Sequence, residues 1–583
     1  MARSFLARLG QPAPALAIIA ALALAAALAG VFTLPVLDRD EARFAQATAQ
    51  MLATGDFVEI RFLDQPRHKK PAGIHWLQAA AVALTSSEAA REIWAYRLPS
   101  VLGAVLAAIA TYLTGARLIG RRAGFAAGAL LAVTVLLGSE GGIAKTDAML
   151  CATAAFAFHG VAGLRTAKDR REARGFALLV WVAMGVGVLV KGPVTPLAAG
   201  LCVLALIAIE RRIGWAWPLA WWPGPLLGAA LVLPWFTAVQ ITTDGAFLRE
   251  ALGQDVGPKL VSGHESHDGP PGYHLALVSV LFLPAIAALP AGLSGAVQRL
   301  RRGGAAANGV KTALAFALPV WIAFEILPTK LPHYVLPAYP ALAVIAGLGL
   351  ANLKTAPQVW LRLGALLMLA GAAFAGPGLL VVLHVSAGAP LMPVMVVSAA
   401  VLAPALATAF AVTARRAGLA LALCVLTALS WHAGMRGAAL PAASDLFLSE
   451  RAAKTALTLS GAAPGADIVS TFTEPSLVFA LGGEVILTDP AALSRVPVQP
   501  GLARTYVIDE SRWLSAEDGD LDADSRAARM DWLSALTEAA CAEGAASGIN
   551  YSRGPDTRVV AVYTTGCPPP NTDNRPQPLE SPP

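Results

Sequence analysis

The chain has 583 residues, a mean hydropathy of +0.59, 56% hydrophobic residues and only 14% charged ones. A soluble protein carries about 25% charged residues, so this composition excludes a soluble globular chain and describes a polytopic membrane protein. The formal net charge of +6 follows membrane topology and is not a nucleic-acid footprint.

A membrane span needs about 20 apolar residues. In chain order, candidate spans lie near 12–36, 93–116, 123–139, 147–164, 176–190, 195–210, 217–240, 273–297, 312–327, 334–352, 361–384, 391–413 and 417–437. The fold class predicted is thus an α-helical polytopic membrane protein with about 13 transmembrane helices, in a membrane region of residues 1–440. The first apolar run exceeds the roughly 7–15 residues of a cleavable signal, so it reads as an uncleaved anchor. The basic runs "RTAKDRREAR", "ERR", "RLRR" and "ARR" all fall on the side of the N-terminus. The positive-inside rule makes that side cytoplasmic. The short loops of the outer side hold only Lys145, Lys191, Arg249, Lys259 and Lys330.

Two outer segments are long. The first, 38–92, opens "LDRDEARFAQATAQMLATGD". Asp38 and Glu41 have the spacing of a capping box. Phe44, Ala47 and Met51 recur at helical spacing, predicting an amphipathic helix at the membrane surface. Asp40, Arg43 and Phe44 share a face near its first turn. Asp40 and Glu41 equally complement the helix dipole. "IHWLQAAAVAL" predicts a second helix, with His75, Trp76 and Gln78 at its start. Between the two lies "RHKKP". Such a loop either binds lipid headgroups, at about 1 kcal/mol per basic residue, or brings Lys70 to a phosphate where water is thin.

The shorter outer loops add Lys145 and Asp147 in "AKTDAML", Lys191 in "LVKGP", and Lys330, His333 and Tyr334 in "LPTKLPHYVLP". "SGHESHDGPPGYH" supplies His264, Glu265, His267, Asp268 and His274. Each alone reads as a solvated loop residue; together they set basic, acidic and imidazole groups at one face of the bilayer. Glu325, just inside a span, is expected to pair with Lys330. His264, Glu265 and His267 form a chemically reasonable ligand set for a divalent metal (Zn, Mg or Mn), although loop spacing is not diagnostic.

The last outer segment, 441–567, is read as a small α/β domain and 568–583 as a disordered Pro-rich tail. "DIVSTF", "GGEVILT", "RTYVID" and "RVVAVYTT" predict strands, and "SRAARMDWLSALTEAACAE" an amphipathic helix. Cys151, Cys202 and Cys424 lie in apolar segments and suggest core packing. Cys541 and Cys567 are able to form a disulfide if this domain is extracytoplasmic.

In this order, "DRDEARFAQ", "KKPAGIHWL", "KTDAML", "LVKGP" and "KLPHYVLP" resemble the bacterial aminoarabinose transferase family. These are glycosyltransferases of the GT-C fold, related to the protein O-mannosyltransferases. The resemblance covers nearly the whole chain. It implies an inverting glycosyltransferase in the bacterial inner membrane, with active site and C-terminal domain facing the periplasm. The donor implied is a sugar on undecaprenyl phosphate; the acceptor is an envelope glycolipid such as lipid A or lipopolysaccharide core. By the match, Asp40 and Asp147 are the catalytic acidic residues. Lys70, Lys191, Lys330 and Tyr334 are the groups about the donor phosphate. Glu41, Arg43 and His75 position acceptor or sugar. His267 corresponds to a metal ligand of the family, and His264 is the neighbouring candidate from the loop's own chemistry. The expected protein is a monomer with no nucleic-acid partner.

The sequence departs from that family in three places. Lys69 stands where the relatives carry Glu before the lysine, Phe44 where they often carry Tyr, and "HDGPPGYH" replaces an aromatic-rich loop. The departures indicate a subfamily with another sugar or acceptor. Two alternatives stay open: an O-mannosyltransferase-like enzyme acting on Ser or Thr, and a polyprenyl-lipid or solute transporter. A transporter typically shows internal repeats and binding residues near the midplane. A non-catalytic envelope scaffold leaves the charged loops unexplained.

Overall fold

The computed structural model describes residues 12–37, 39–87, 90–256, 269–460, 467–482, 485–499, 503–515, 521–550 and 554–564. The chain divides into two compact units: Met1–Pro35 with Ala47–Ala443, and Val36–Gln46 with Ser444–Pro583.

The first unit is a helical bundle. Among the described residues, nine helices are long and apolar enough to cross a membrane, and the pair Arg121–Ala132 and Val135–Gly141, bent by 57°, makes a tenth. Pro12–Leu28 and Val194–Glu210 are apolar but have only 17 residues each. The segment expected as one span at 273–297 is instead broken into Tyr273–Leu281, Ala285–Ala287 and Leu289–Arg302. Besides these two broken spans, the expected spans are largely helical, although the first, 12–36, is helical only through Leu28 and that at 217–240 opens in a separate short helix, Gly214–Ala220. In hydrocarbon a freed backbone group must find a partner within the protein. The two breaks serve each other: the Val135 N–H donates to the Leu283 carbonyl at 2.9 Å. Arg436, 3% exposed, closes the same region by donating to the Gly138 and Ala26 carbonyls at 2.6 and 3.0 Å.

Small residues let the helices approach. A Cβ on Gly103 would lie 2.6 Å from the Met149 nitrogen, so helices Ile93–Ile119 and Asp147–Thr166 meet backbone to backbone there. Without a hydrophobic force between helices in lipid, such contact and its dispersion energy hold the bundle. Helices Pro223–Thr242 and Leu391–Thr413 carry much of the exposed apolar surface, including Leu226, Ile241, Met392 and Phe410. That surface suits acyl chains, not water.

The second unit holds a five-stranded sheet in the order Ile486–Leu487, Ile468–Ser470, Arg504–Asp509, Gly554–Thr564, Ala542–Asn550. The first three strands are parallel; the last two join antiparallel. Side chains alternate across a strand. Accordingly Val507 joins Ala452, Ala456 and Phe472 on one face, while Tyr506 and Ile508 join Trp513, Trp532 and Leu536 on the other. All four strand segments expected from the sequence are present. Their partner Ala542–Asn550 corrects one reading, since "CAE" was expected to end a helix that in fact stops at Ala539. Alanine and glycine carry little β signal. The strand follows from tertiary packing: a Cβ on Gly544 would lie 2.6 Å from Thr455 Cγ2 of helix Leu448–Ser460. Cys151, Cys202 and Cys424 are buried free thiols. Cys541 is disulfide-bonded, while Cys567 lies outside the described residues.

Candidate active site

The polar run "SEGGIAKTD" joins the bent helix pair to helix Asp147–Thr166. Glu140 ends one element and Asp147 begins the next, so both carboxylates come to the same end of the bundle. Asp147 is 2% exposed. Its Oδ1 accepts a hydrogen bond from Lys191 Nζ at 2.5 Å, from the last turn of helix Arg170–Lys191. Lys145 Nζ lies 3.8 Å from Asp147 Oδ2 and 3.4 Å from Glu140 Oε2. His333 bridges the two carboxylates, with Nε2 3.7 Å from Asp147 Oδ1 and Nδ1 3.7 Å from Glu140 Oε1. The Lys191 ammonium also lies 5.8 Å from the centre of the Tyr334 ring, within cation–π range. Two carboxylates, two lysines and a histidine thus form one buried network. Burial strengthens each of these interactions and makes any unpaired member costly.

Lys70 reaches the same neighbourhood by a different route. Strands Arg61–Phe62 and Gln65–Pro66 form a small hairpin, closed by the Arg67 N–H to Ile60 carbonyl bond at 2.7 Å. His68 turns inward and is clasped by Glu250 at 3.0 Å and Glu59 at 3.3 Å. This corrects the picture of a uniformly solvated basic loop: His68 is its internal anchor. Helix Gly73–Thr85 then begins against the end of helix Arg170–Lys191. A Cβ on Gly73 would stand 2.6 Å from the Leu189 carbonyl oxygen, so only glycine permits this approach. The half-buried Lys70 ammonium is within electrostatic range of His333.

Other residues singled out in the sequence lie elsewhere. Glu325 pairs with His274 at 2.8 Å, not with Lys330 as expected. His274, which the sequence suggested was a loop residue, sits in helix Tyr273–Leu281 and also contacts the Leu331 carbonyl at 3.1 Å. Lys330 is buried and donates to the Leu327 carbonyl at 2.6 Å, with Gly269 packed on its aliphatic stem. His75 is wholly buried; its Nδ1 lies 2.8 Å from Thr48 Oγ1, which donates to Gln78 at 2.7 Å. Helix Asp40–Thr54 is therefore embedded, not laid on a surface: Ala42 and Ala45 through Ala49 are buried. Within it Asp40 is exposed, Arg43 half-buried and Phe44 buried. Glu41 is buried and accepts from the Leu37 N–H at 2.8 Å; its expected capping partner Asp38 lies outside the described residues, as do His264, Glu265, His267 and Asp268. Among the described residues, no three His, Cys, Asp or Glu side chains are grouped to hold a metal.

Glu140 was not recognised in the sequence. A carboxylate between two apolar stretches, five residues before a lysine, was the available signal. Its meaning required His333, which is distant in the chain.

The chain is similar to known proteins in sequence and in fold. Residues 69–237 match the family described as dolichyl-phosphate-mannose-protein mannosyltransferase. That stretch contains Lys70, Glu140, Lys145, Asp147 and Lys191. The chain is 30% identical to the undecaprenyl phosphate-alpha-4-amino-4-deoxy-L-arabinose arabinosyl transferase of Pseudomonas aeruginosa over 57% of this chain and 58% of that one. It is 27% identical to the Edwardsiella ictaluri protein of the same description, over 54% and 59%. The aligned parts thus span less than two thirds of these relatives. In three dimensions it is similar to ArnT of Cupriavidus metallidurans bound to undecaprenyl phosphate, with a TM-score of 0.72, 19% identity, and 95% and 99% of the two chains covered. The likeness to that structure over nearly the whole chain shows a multi-pass membrane protein of the same fold.

Proposed function

We propose that this chain is an inverting glycosyltransferase that moves a sugar from a polyprenyl phosphate donor, undecaprenyl phosphate in particular, to an envelope acceptor. The Asp147–Lys191 pair, set among Lys145, His333 and Tyr334, carries the reading. Its charge suits the donor. Lys145 and Lys191 pair with Glu140 and Asp147, and Lys70 adds a further positive charge near His333 to meet the single charge of a phosphodiester.

In the transfer, an acceptor oxygen bonds to the anomeric carbon as the bond to the polyprenyl phosphate oxygen breaks. The phosphate leaves with the electron pair and gains a second negative charge. Preorganised cations stabilise that charge more in the transition state than in the donor. Lys70 and Lys191 are the groups placed for this, with the Tyr334 ring beside Lys191. Asp147 holds Lys191 in position; it does not take the proton. Lys330, bound to a carbonyl, serves more remotely. Asp40 acts on the acceptor. A hydroxyl acceptor surrenders its proton to this carboxylate, while an already ionised phosphate acceptor is oriented by Arg43; Glu41, buried on the Leu37 N–H, positions the helix start. His75 contributes by fixing helix Asp40–Thr54 to helix Gly73–Thr85.

The protein is placed in the bacterial inner membrane with this cluster at the periplasmic face, as its basic loops on the other side support. It acts as a monomer. The test is transfer by the purified, lipid-reconstituted protein from undecaprenyl-phosphate-linked sugars to lipid A, core glycolipid and a Ser/Thr peptide. Lys70→Ala and Lys191→Ala are expected to lower transfer at least about 100-fold. Normal transfer by both would overturn the site, and transfer only to the peptide would replace the glycolipid acceptor by protein.

A further inference from the structure

At the other end of the bundle the chain builds a second charged cavity. Asp147 and Arg165 lie on one helix, 18 residues apart, or about 27 Å at 1.5 Å per residue. That distance is close to the thickness of the hydrocarbon core, so Arg165 marks the opposite membrane face. There an open cleft of about 640 Å³ is lined by Arg117, Arg165, Arg299, Arg302, Asn308 and Thr312. Its volume lies within the range of small-ligand sites, about 300–1,000 Å³.

The four arginines are not equivalent. Arg165 is spent: it makes a bidentate pair with Glu210 at 2.6 and 2.9 Å and donates to Thr312 at 2.8 Å. Arg117 bonds Glu172 at 2.8 Å and Thr166 at 2.7 Å. These pairs form the rigid wall. Arg299 and Arg302, near the end of helix Leu289–Arg302, have no hydrogen bond or ion pair among the described residues, and they are close enough to repel each other. The positive-inside rule accounts for basic residues on this face. It does not require arginines from three helices to converge on one cleft, nor two of them to be left facing it without a carboxylate.

We propose that this cleft binds a phosphate-bearing anion, held by Arg299 and Arg302 between walls fixed by Arg117 and Arg165. A planar guanidinium offers paired N–H donors to phosphate oxygens. Basic pockets between transmembrane helices suit the headgroups of anionic lipids. Asn308 and Thr312 add neutral polar groups at the same wall. The ligand is either a lipid phosphodiester from the surrounding leaflet or a free phosphate from solution.

The test uses the full chain in neutral detergent, its melting followed by tryptophan fluorescence. Phosphatidylglycerol, phosphatidylcholine and inorganic phosphate are added in separate arms. A rise of a few degrees is expected with phosphatidylglycerol or with phosphate, and none with phosphatidylcholine. The arm that responds names the source. The rise disappears in Arg299→Gln/Arg302→Gln and persists in Arg301→Gln, which changes an exposed arginine on the same helix that does not line the cleft. Arg302→Gln alone, at an exposed position, is the second variant and weakens the response at least about tenfold in ligand concentration. Absence of any rise, an equal rise with phosphatidylcholine, or an equal loss in Arg301→Gln overturns the proposal.

Discussion

Lys191→Met removes the partner 2.5 Å from Asp147 and leaves a carboxylate that is only 2% exposed. Breaking a buried ion pair by removing one member costs about 3–5 kcal/mol. Lys145 at 3.8 Å and His333 at 3.7 Å remain to share the charge, which moves the expectation to the lower end, about 3 kcal/mol. Asp147→Asn leaves Lys191 and Lys145, both less buried, and Lys145 keeps Glu140 at 3.4 Å; its cost is expected near 2 kcal/mol. The double variant has neither orphan. It should cost about 2–3 kcal/mol, not about 5, giving a coupling of about 2–3 kcal/mol. Denaturant unfolding of the detergent-solubilised protein, completed as a double-mutant cycle, measures this. Costs that add within about 0.5 kcal/mol would refute the pair as the centre of the network. Transfer separates a second role. The double variant is expected to be no less stable than Lys191→Met yet to stay down in transfer by about 100-fold or more, since Lys191 no longer meets the departing phosphate. Recovery of transfer with stability would reduce Lys191 to a purely structural residue.

Three further expectations follow from the same packing. Gly73→Ala drives a Cβ to 2.6 Å from the Leu189 carbonyl oxygen; it should lower unfolding stability by about 1–3 kcal/mol and reduce transfer by shifting Lys70, whereas Gly200→Ala, in open space within helix Val194–Glu210, serves as control for added side-chain bulk. Thr48→Val leaves His75 and Gln78 without their shared hydroxyl in a dry site and should cost about 1–3 kcal/mol, measured by thermal melting. In the second unit, Asp522 caps helix Ala523–Ala539 by accepting from the Ser525 N–H at 2.8 Å, which holds its carboxyl below the ordinary value of 3.8. A depressed carboxylate contributes stability above its unfolded pKa and loses it as pH falls through the folded one. Amide exchange in this helix should therefore be faster in Asp522→Ala than in the parent at pH 6, with the two converging as pH falls below 3.8; an undiminished difference in strong acid would exclude the cap as its cause.

The apolar segments were legible because a bilayer imposes one rule, a long apolar helix, on every span; among the described residues nine helices reach that length, or ten with the bent pair, against thirteen expected. The strands "RTYVID" and "RVVAVYTT" were legible because β-branched and aromatic residues alternate in them. Strand Ala542–Asn550 was not, since its glycines and alanines are selected by what presses against them. The breaks at Val133–Thr134 and near Pro284 were invisible for a related reason. Each is tolerated only because the other supplies a backbone partner.

The sequence by itself determined a polytopic membrane protein, the face on which its charged loops gather, and the lysines at 70, 145 and 191 with Asp147 as candidates. Local composition suffices for these, because apolar length and charge asymmetry are additive along a chain. Only the tertiary structure decided who pairs with whom. It joined Lys191 to Asp147, drew in the unnoticed Glu140 through His333, gave Glu325 to His274 and left Lys330 on a carbonyl. Ion pairs form at a few ångströms between groups far apart in sequence, and distance in the folded bundle is a property that no single segment carries.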